Sequence, residues 1–343
     1  MRVLAAVILA TLVCGACQVF GPGGPRRPNQ TPTLTSSRPA ASAGDTRFEL
    51  AEFAVPAGAH PHDVAPARDG GVWYTGQANG TLGHLDPVTG EVREVKLGAG
   101  SAPHGVILGP DDAPWITDGG QNAIVRVDPA TDKVDVFPLP AGRAGANLNT
   151  ATFDREGVLW FTGQSGVYGR LDPKERRVEV FDAPGGPGPY GITSTRRGPV
   201  FYASLAGSHI GRIDPATRQA TQLHPPTDGQ GARRIWADSQ GRLWFSEWNA
   251  GQIGRYDPGS HAWREWKLPG QAQPYAIYVD DRDGVWVSDF ASNAILFFDA
   301  AKEAFTEFEL RTANAAVRQL NGRPGEVWGA ESGADKLVVI RTR

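Results

Sequence analysis

Two histidines and two carboxylates occupy positions from which they could act together on one substrate. His62 and His104 are 42 residues apart, Asp118 follows His104 by 14 residues, and Glu331 lies close to the end of the chain. A neutral imidazole is an effective general base near neutral pH, and carboxylate oxygens are preferred ligands of Mg²⁺. The combination predicts proton abstraction by His104 or His62 beside a divalent metal ion held by Asp118 and Glu331. We expect no other cofactor.

These side chains can meet only if a repeated fold brings distant segments to one place. An aromatic residue recurs every 41 to 45 residues, at Trp73, Trp115, Trp160, Phe201, Trp244, Trp286 and Trp328. Each unit contains four short β-rich runs separated by Gly, Asn, Asp and Pro turns, and none has helical periodicity. Four antiparallel strands repeated at this period predict an all-β, seven-bladed β-propeller.

The two ends of the chain predict how the ring closes. The seventh unit stops after its third run, at Leu337–Arg341, so it lacks a fourth strand. The segment 48–56 before the first unit resembles the closing runs of the other units. We therefore expect the N-terminal strand to complete the last blade, which removes the exposed sheet edge. The predicted propeller domain spans residues 47–343.

Two positions in each unit are predicted to face one mouth of the axial channel. The first is eleven residues before the anchor and is occupied by His62, His104, Asn149, Tyr190, Arg233, Tyr275 and Val317, with Arg318 as an alternative to Val317. The second is three residues after the anchor and is occupied by Gly76, Asp118, Gly163, Ser204, Glu247, Asp289 and Glu331. Ring closure would place Glu331, His62, His104 and Asp118 on three consecutive blades.

The remaining polar and aromatic residues of this set are predicted to bind the substrate. Tyr190, Tyr275 and Trp248 could form an aromatic wall, and Arg233, Glu247 and Asp289 could orient a ligand across the ring. The competing interpretation is structural. Propeller channels also hold water and satisfied polar groups without any chemistry, and the aromatic residues could simply pack between blades.

The repeats resemble those of the streptogramin lyases, the virginiamycin B lyase family. The segment 243–255, which reads LWFSEWNAGQIGR, and the strand openings Pro103–Val106 and Pro189–Ile192 carry the resemblance. It covers the body from 48 to 342. The resemblance implies linearisation of a cyclic ester depsipeptide by elimination across a C–O bond, with a histidine base and Mg²⁺ held by carboxylates.

The family's site reads Glu-Pro-His-Gly, with a further Glu fourteen residues after the His. On this pattern His104 is the base and Asp118 takes the place of the later Glu. Ala102 stands where the family has its metal-binding Glu.

Three functions are therefore considered. The first is a lyase-like enzyme that opens a cyclic ester or peptide-like ligand, with His104 as base and Asp118 as metal or orienting ligand. The second is a non-catalytic envelope propeller that binds a peptide, glycan or protein. The third is a metal-dependent lactonase similar to the gluconolactonase propellers, with Asn149 and Asp118 near a Ca²⁺ ion.

The N-terminus predicts export. Residues 1–17 combine a positive start with an apolar core of 11 residues, too short to span a bilayer. Gly15-Ala16-Cys17 resembles a lipobox, so Cys17 is the predicted lipidation site and the protein would be anchored to the cell membrane or envelope. Without lipidation it would be secreted. Residues 18–46, rich in Pro, Ser and Gly, are predicted to form a disordered tether.

Charge and cysteine content narrow the partners. The whole chain has a net charge of −3. Residues 1–46 carry +3, so the remaining residues carry −6. A mildly acidic body argues against nucleic acid as a partner. The body contains no cysteine, which excludes a disulfide or a thiolate metal site there. We expect a monomer that contacts membrane only through its anchor.

Overall fold

The computed structural model describes residues 48–342, apart from Arg197. The predicted signal peptide, the tether and Cys17 lie outside the described residues. In the part of the chain that is described, no helix is long and apolar enough to cross a membrane.

Every regular element in the described range is a β-strand. In chain order the strands are β1 (Phe48–Ala54), β2 (Pro61–Pro66), β3 (Val72–Gly76), β4 (Thr81–Leu85), β5 (Val92–Lys96), β6 (Pro103–Leu108), β7 (Pro114–Asp118), β8 (Ala123–Val127), β9 (Val134–Pro138), β10 (Leu148–Phe153), β11 (Leu159–Gly163), β12 (Val167–Asp172), β13 (Arg177–Asp182), β14 (Pro189–Ser194), β15 (Val200–Ser204), β16 (His209–Ile213), β17 (Ala220–Leu223), β18 (Ala232–Ala237), β19 (Leu243–Glu247), β20 (Gln252–Asp257), β21 (Ala262–Lys267), β22 (Pro274–Val279), β23 (Val285–Asp289), β24 (Ala294–Asp299), β25 (Ala304–Glu309), β26 (Val317–Arg323), β27 (Glu326–Glu331) and β28 (Lys336–Thr342).

The strands form seven four-stranded antiparallel sheets, which confirms the seven-bladed propeller. In six blades the strands pair in chain order, from β2-β3-β4-β5 to β22-β23-β24-β25. The first strand of each blade contacts the first strands of its neighbours, so that β2 lies between β6 and β26. These innermost strands surround the axis, and their side chains line the channel.

The last blade confirms the predicted ring closure. Its order is β1-β28-β27-β26, and β1 pairs with β28 from Phe48 opposite Thr342 to Ala54 opposite Lys336. Just after β1, the amide of Val55 donates to the carbonyl of Asp335. Opening the ring would therefore require the loss of a complete strand pairing, which protects the sheet edge from other chains.

Several of the repeating tryptophans bond to the turn that precedes their strand. Trp160 is fully buried, and its indole N–H donates to the Asp154 carboxylate at 2.8 Å. Trp244 and Trp286 make the same bond to an aspartate six residues earlier, at 3.0 and 2.8 Å. A buried indole needs a partner for its N–H, which explains why an acidic turn precedes the anchor.

A β-bulge near the start of each first strand creates the channel surface. In the first blade Pro61 pairs with Gly76, and the next pairing is Val64 with Tyr74. The chain therefore advances three residues along β2 but only two along β3 between these pairings. Equivalent shifts occur in the first strands of the other six blades. A bulge leaves extra residues outside the ladder and redirects their side chains. His62 and Asp63 are the residues redirected in β2.

Side-chain hydroxyls tie the bulges of neighbouring blades together. Thr75 Oγ1 accepts from the Asp63 amide at 3.0 Å and donates to the His104 carbonyl at 2.8 Å. Thr117 links Gly105 to the Asn149 carbonyl in the same way. Each hydroxyl satisfies backbone groups that the bulge removes from the ladder. The backbone under the two histidine-bearing blades is thus fixed from one blade to the next.

Candidate active site at the channel mouth

His62 and Asp63 form a buried pair at the beginning of β2. Nδ1 of His62 lies 2.8 Å from Oδ1 of Asp63, and both side chains are about 2% exposed. A carboxylate next to Nδ1 favours the tautomer in which that nitrogen carries the proton. Nε2 of His62, which no hydrogen bond from the described residues engages, then carries the lone pair. This arrangement has the geometry of the histidine–carboxylate pair in a catalytic triad.

His104 lies against His62, as the 42-residue spacing predicted. The two ring centroids are 3.7 Å apart. Nδ2 of Asn149 lies 3.1 Å from Nε2 of His104 and, because an amide nitrogen is a donor, that ring nitrogen is the acceptor. Nδ1 of His104 then carries the proton, and it is buried without a hydrogen-bond partner in the described structure. His104 therefore has its basic nitrogen occupied, whereas His62 does not.

Both imidazoles are held in the neutral form. Burial lowers the pKa of His62 well below its usual value, and the charges of Arg234, Arg318 and Arg233 lower it further. Burial also lowers the pKa of His104, with an added contribution from His62. A neutral imidazole at pH 7 has an available lone pair, which is the form that a general base requires.

A buried ion pair crosses the channel beneath the histidines. Arg234, in the fifth blade, donates through Nη2 to Oδ1 of Asp63 at 2.7 Å and through Nη1 to Thr150 at 2.7 Å. Both charged side chains are at most 5% exposed. Burial raises the pKa of Asp63, while the Arg234 charge opposes the rise. The pair joins blades far apart in the sequence and holds the His62 partner in place.

Tyr190, Tyr275 and Trp248, the residues of the predicted aromatic wall, lie together and enclose Arg233. The guanidinium carbon of Arg233 lies 3.6 Å from the ring centre of Tyr275, 4.6 Å from that of Tyr190 and 4.8 Å from that of Trp248. The hydroxyls of Tyr190 and Tyr275 are 2.5 Å apart, and Arg233 Nη2 donates to Tyr190 at 3.1 Å. Cation–π contacts of this kind hold a desolvated guanidinium in one position.

The seventh position of this ring belongs to Arg318. Val317 pairs with Glu331 as Pro61 pairs with Gly76, so Arg318 is the counterpart of His62. The guanidinium carbon of Arg318 lies 5.8 Å from the Tyr275 ring centre. Counting eleven residues back from Trp328 selects Val317. The structure selects Arg318 because the last blade has one residue fewer between the first residue of its inner strand and its anchor, 11 from Val317 to Trp328 against 12 from Pro61 to Trp73.

Asp118 and Asp289, from the second predicted set, bind their own loops. Asp118 accepts from Ser101 Oγ at 2.6 Å, from the Ala102 amide at 3.0 Å, and from the amide and side chain of Gln121. Asp289 accepts from the amide of Gln273 at 2.6 Å and from two amides of the following turn. Their oxygens thus stabilise the loops around the mouth, and they are not grouped with the histidines.

Glu247 and Glu331 point towards the third and fourth strands of their blades. Gln252 Nε2 donates to Glu247, and burial raises the pKa of Glu247 to about 8. Both carboxyl oxygens of Glu331 are buried without a hydrogen-bond partner in the described structure. Burial, followed by the neighbouring Glu52, raises the pKa of Glu331 to about 8. These carboxyls do not join the histidine pair.

Sequence reasoning missed Asp63 and Arg234. Both lie one residue beyond the predicted channel position, because the bulge turns two successive residues towards the axis. A signal was nevertheless present, since two pairs of ionisable residues, His62-Asp63 and Arg233-Arg234, interrupt strands that are otherwise apolar. A charge in a strand covered on both faces needs a partner.

The opposite half of the channel is an open cavity. It has a volume of about 450 Å³ and is lined by the later residues of all seven first strands. Asp63 and Arg234 line this cavity, but His62 and His104 do not. The ion pair therefore separates the cavity from the histidine site.

The side chains at the mouth do not fit the predicted Mg²⁺. Among the described residues, the only cluster of potential ligands is His62, Asp63 and His104, whose ligand atoms lie within 4.8 Å of one another. Mg²⁺ prefers oxygen ligands in octahedral geometry. The cluster offers one carboxylate, which Arg234 already binds, and Asp118 and Glu331 are directed elsewhere. A dication would also be repelled by the arginines around the mouth.

Fold and site define a β-propeller with a histidine pair at its channel, and comparison with known proteins places it in a family. The model of the Virginiamycin B lyase family matches residues 41–295, and the chain belongs to that family.

Individual proteins are similar to this chain in part of the sequence or in fold. Virginiamycin B lyase of Nocardia farcinica (strain IFM 10152) is 31% identical over 119 residues, which span 35% of this chain and 39% of the relative. A streptogramin B lyase structure is 24% identical, covers 86% of this chain and 98% of its own, and superposes with a TM-score of 0.79. A catalytically inactive histidine-to-alanine variant of Staphylococcus aureus virginiamycin B lyase, solved with quinupristin, is 22% identical, with coverages of 86% and 100% and a TM-score of 0.79.

Proposed function

We propose that this protein is a carbon–oxygen lyase that opens an ester by elimination, with His62 as the general base. The observation that carries the proposal is the pair of His62 and Asp63, which leaves Nε2 of a neutral imidazole available inside the channel. Family membership supports the reaction class. A related protein is catalytically inactive when one of its histidines is replaced by alanine, which supports a histidine role in this family.

The reaction needs a base, an electrophile and an oriented leaving group. Nε2 of His62 removes the proton next to the substrate carbonyl, the electron pair forms a carbon–carbon double bond, and the neighbouring C–O bond breaks. Asp63 stabilises the imidazolium that forms, as an orienting carboxylate does in a triad. His104 carries the proton on Nδ1 in this tautomer and can donate a hydrogen bond to the substrate.

The predicted Mg²⁺ is not given a step in this mechanism, because the donor atoms do not fit it. Positive charge near the developing enolate is supplied instead by arginine side chains. Arg318 lies in the blade next to that of His62, and Arg233 lies across the ring. Both lower the pKa of His62 through their charge.

An assay of ring opening tests the proposal. Purified protein is incubated with quinupristin and the product is analysed by mass spectrometry. Elimination opens the ring without a change in mass and creates a new double bond, whereas hydrolysis adds one water. We expect the first result for the wild type and for His224→Ala, which changes an exposed histidine outside the channel. The absence of elimination from both quinupristin and linear acyl-threonine esters would reject the proposal.

A non-catalytic binding propeller is the second candidate. The observation that favours it is the deep burial of His62, only 1% exposed. Binding of quinupristin without conversion, undiminished by His62→Ala, would support this alternative.

A further inference from the structure

The channel mouth contains more positive charge than its carboxylates balance. Arg233 and Arg318 both lie over the Tyr275 ring, and of the three arginines only Arg234 pairs with a carboxylate, that of Asp63. Neither Arg233 nor Arg318 forms a salt bridge with a described carboxylate. The two histidines beside them are neutral, so they neither balance the positive charge of the arginines nor pair with a carboxylate as cations.

The two unpaired arginines are also incompletely hydrogen-bonded. The Nε atoms of Arg233 and Arg318 are buried and lack a hydrogen-bond partner within the described residues. A buried N–H group without a partner costs about 1 to 3 kcal/mol. Arg233 gains compensation from the faces of Tyr275, Tyr190 and Trp248, but these rings cannot accept the in-plane N–H groups of the guanidinium.

Tyr275 reports the same excess of positive charge. Burial alone raises the pKa of a tyrosine, but the charges of Arg233, Arg318 and Arg234 outweigh burial and leave the Tyr275 pKa below its usual value. An anion placed at the mouth would therefore be favoured by the local potential. It would also supply the acceptors that the guanidinium groups lack.

We infer that Arg233 and Arg318 form a carboxylate-binding site, and that the substrate of this lyase is an anionic carboxylic acid with an acyloxy group on its β-carbon. The part that concerns turnover rests on the proposed function, whereas carboxylate binding does not. Guanidinium groups pair with carboxylates in bidentate geometry, and such charge-assisted bonds are about twice as strong as neutral ones.

The site also explains how the reaction proceeds without a dication. When His62 takes the α-proton, electron density moves onto the substrate carboxylate before the β C–O bond breaks. Two guanidinium groups stabilise this doubly charged form more than the ground state, which is the requirement for catalysis. The double bond forms between the α- and β-carbons, the acyloxy group leaves as a carboxylate, and neither water nor an oxidant is consumed.

A matched pair of small esters tests the inference. N-acetyl-O-acetylthreonine carries a free carboxylate, and its N-methylamide is neutral but otherwise equivalent. The ultraviolet absorption of the unsaturated product measures the elimination of acetate from each ester. Binding is measured by calorimetry with the His62→Gln variant. We expect the acid to have kcat/KM about 10- to 100-fold higher than the amide, in line with hydrogen bonds to charged groups.

Arginine variants assign the preference to the proposed site. Arg318→Gln and Arg233→Gln should abolish the preference for the acid, and Arg318→Lys should retain part of it, because it keeps the charge but loses the bidentate geometry. Arg264→Gln, which removes an arginine paired with Glu303 on an outer strand, should leave the preference unchanged. Melting temperatures identify any variant that does not fold, and in that case Arg318→Lys carries the test.

The outcomes separate this inference from the proposed function. Equal turnover of acid and amide, or preference for the amide, overturns the carboxylate site while the lyase stands. Binding of the acid that depends on Arg318, without any elimination, supports the site and counts against the lyase. If neither ester binds, the carboxylate site is overturned.

Discussion

Two positions in every blade were predicted to face the channel mouth, but only one of them does. His62, His104 and Arg318 belong to the position that follows the first residue of an inner strand, and they meet at the axis. Asp118 and Glu331 belong to the position at the end of the second strand, and they bind loops or face outer strands. The two positions are neighbours in the sheet, yet their side chains serve different purposes.

The bulge is the physical reason for the difference. The second-strand position pairs directly with the residue before the bulge, as Gly76 does with Pro61, so its side chain stays in the regular alternation of the ladder. A Cβ atom added at Gly76 would meet Asn79 and Thr81, which lie towards the third strand. The bulged residues leave that alternation and turn to the axis. The comparison therefore predicts that residues at the bulged position of the first strand contribute to activity. Residues at the end of the second strand are predicted to contribute to stability.

The largest effect is expected from the base. His62→Ala should lower kcat/KM for elimination about 10²- to 10⁴-fold, the usual contribution of a general base. His62→Ala and His104→Ala are compared in the same assay, with His224→Ala as control. A larger loss in His104→Ala than in His62→Ala would reverse the assignment of the base and show that the tautomers are exchanged.

The buried ion pair should give the largest change in stability. Arg234→Met leaves the Asp63 carboxylate buried without its charged partner, and removal of one member of such a pair costs about 3 to 5 kcal/mol. Denaturant unfolding measures the loss. The double variant Asp63→Asn with Arg234→Met should recover part of it, because no unpaired charge remains. A single variant as stable as the wild type would show that the pair is not desolvated.

A smaller effect is expected at Asp118. Asp118→Asn replaces one of the two accepting oxygens with an N–H donor. Either the bonds from the Ala102 and Gln121 amides or those from Ser101 Oγ and the Gln121 side chain are then lost. We expect a loss of about 1 to 3 kcal/mol in unfolding free energy. Elimination activity should fall far less than in His62→Ala. Mg²⁺ should raise the melting temperature of neither protein, and a wild-type-specific increase would restore Asp118 as a metal ligand.

Replacement of Glu331 should have the smallest effect on activity. Its effect on stability should depend on pH. The pKa of Glu331 is about 8 in the fold against an ordinary value of 4.5, so the folded state holds a proton that the unfolded state has lost between these values. The contribution of Glu331 to stability is therefore full below pH 4.5 and declines as the pH rises towards 8. Glu52 and Lys336 are the charged groups that face it.

Glu331→Gln removes this titration. The melting temperature of Glu331→Gln relative to the wild type should increase from pH 5 to pH 8, while elimination activity is retained. Glu49→Gln, on the terminal strand, serves as the matched control. A difference in melting temperature that stays constant with pH would mean that Glu331 is ionised in the fold.

The repeat predicted most of the architecture and part of the site. The spacing of the aromatic anchors was sufficient to predict seven blades. The missing strand after Leu337–Arg341 was sufficient to predict that β1 closes the ring. The same period placed His62 beside His104, because equivalent residues of adjacent blades meet at the axis. The predicted convergence of Asp118 and Glu331 on them failed, since period alone does not determine which way a side chain points.

The sequence by itself determined a closed ring and the identity of the residues at its centre, since a regular repeat of β-strand patterns leaves few other ways to bury both faces of each blade. Only the tertiary structure decided which of those residues share a site. The pairing of Asp63 with Arg234 joins residues 171 positions apart. It depends on bulges in two separate blades that turn both side chains into the same desolvated channel.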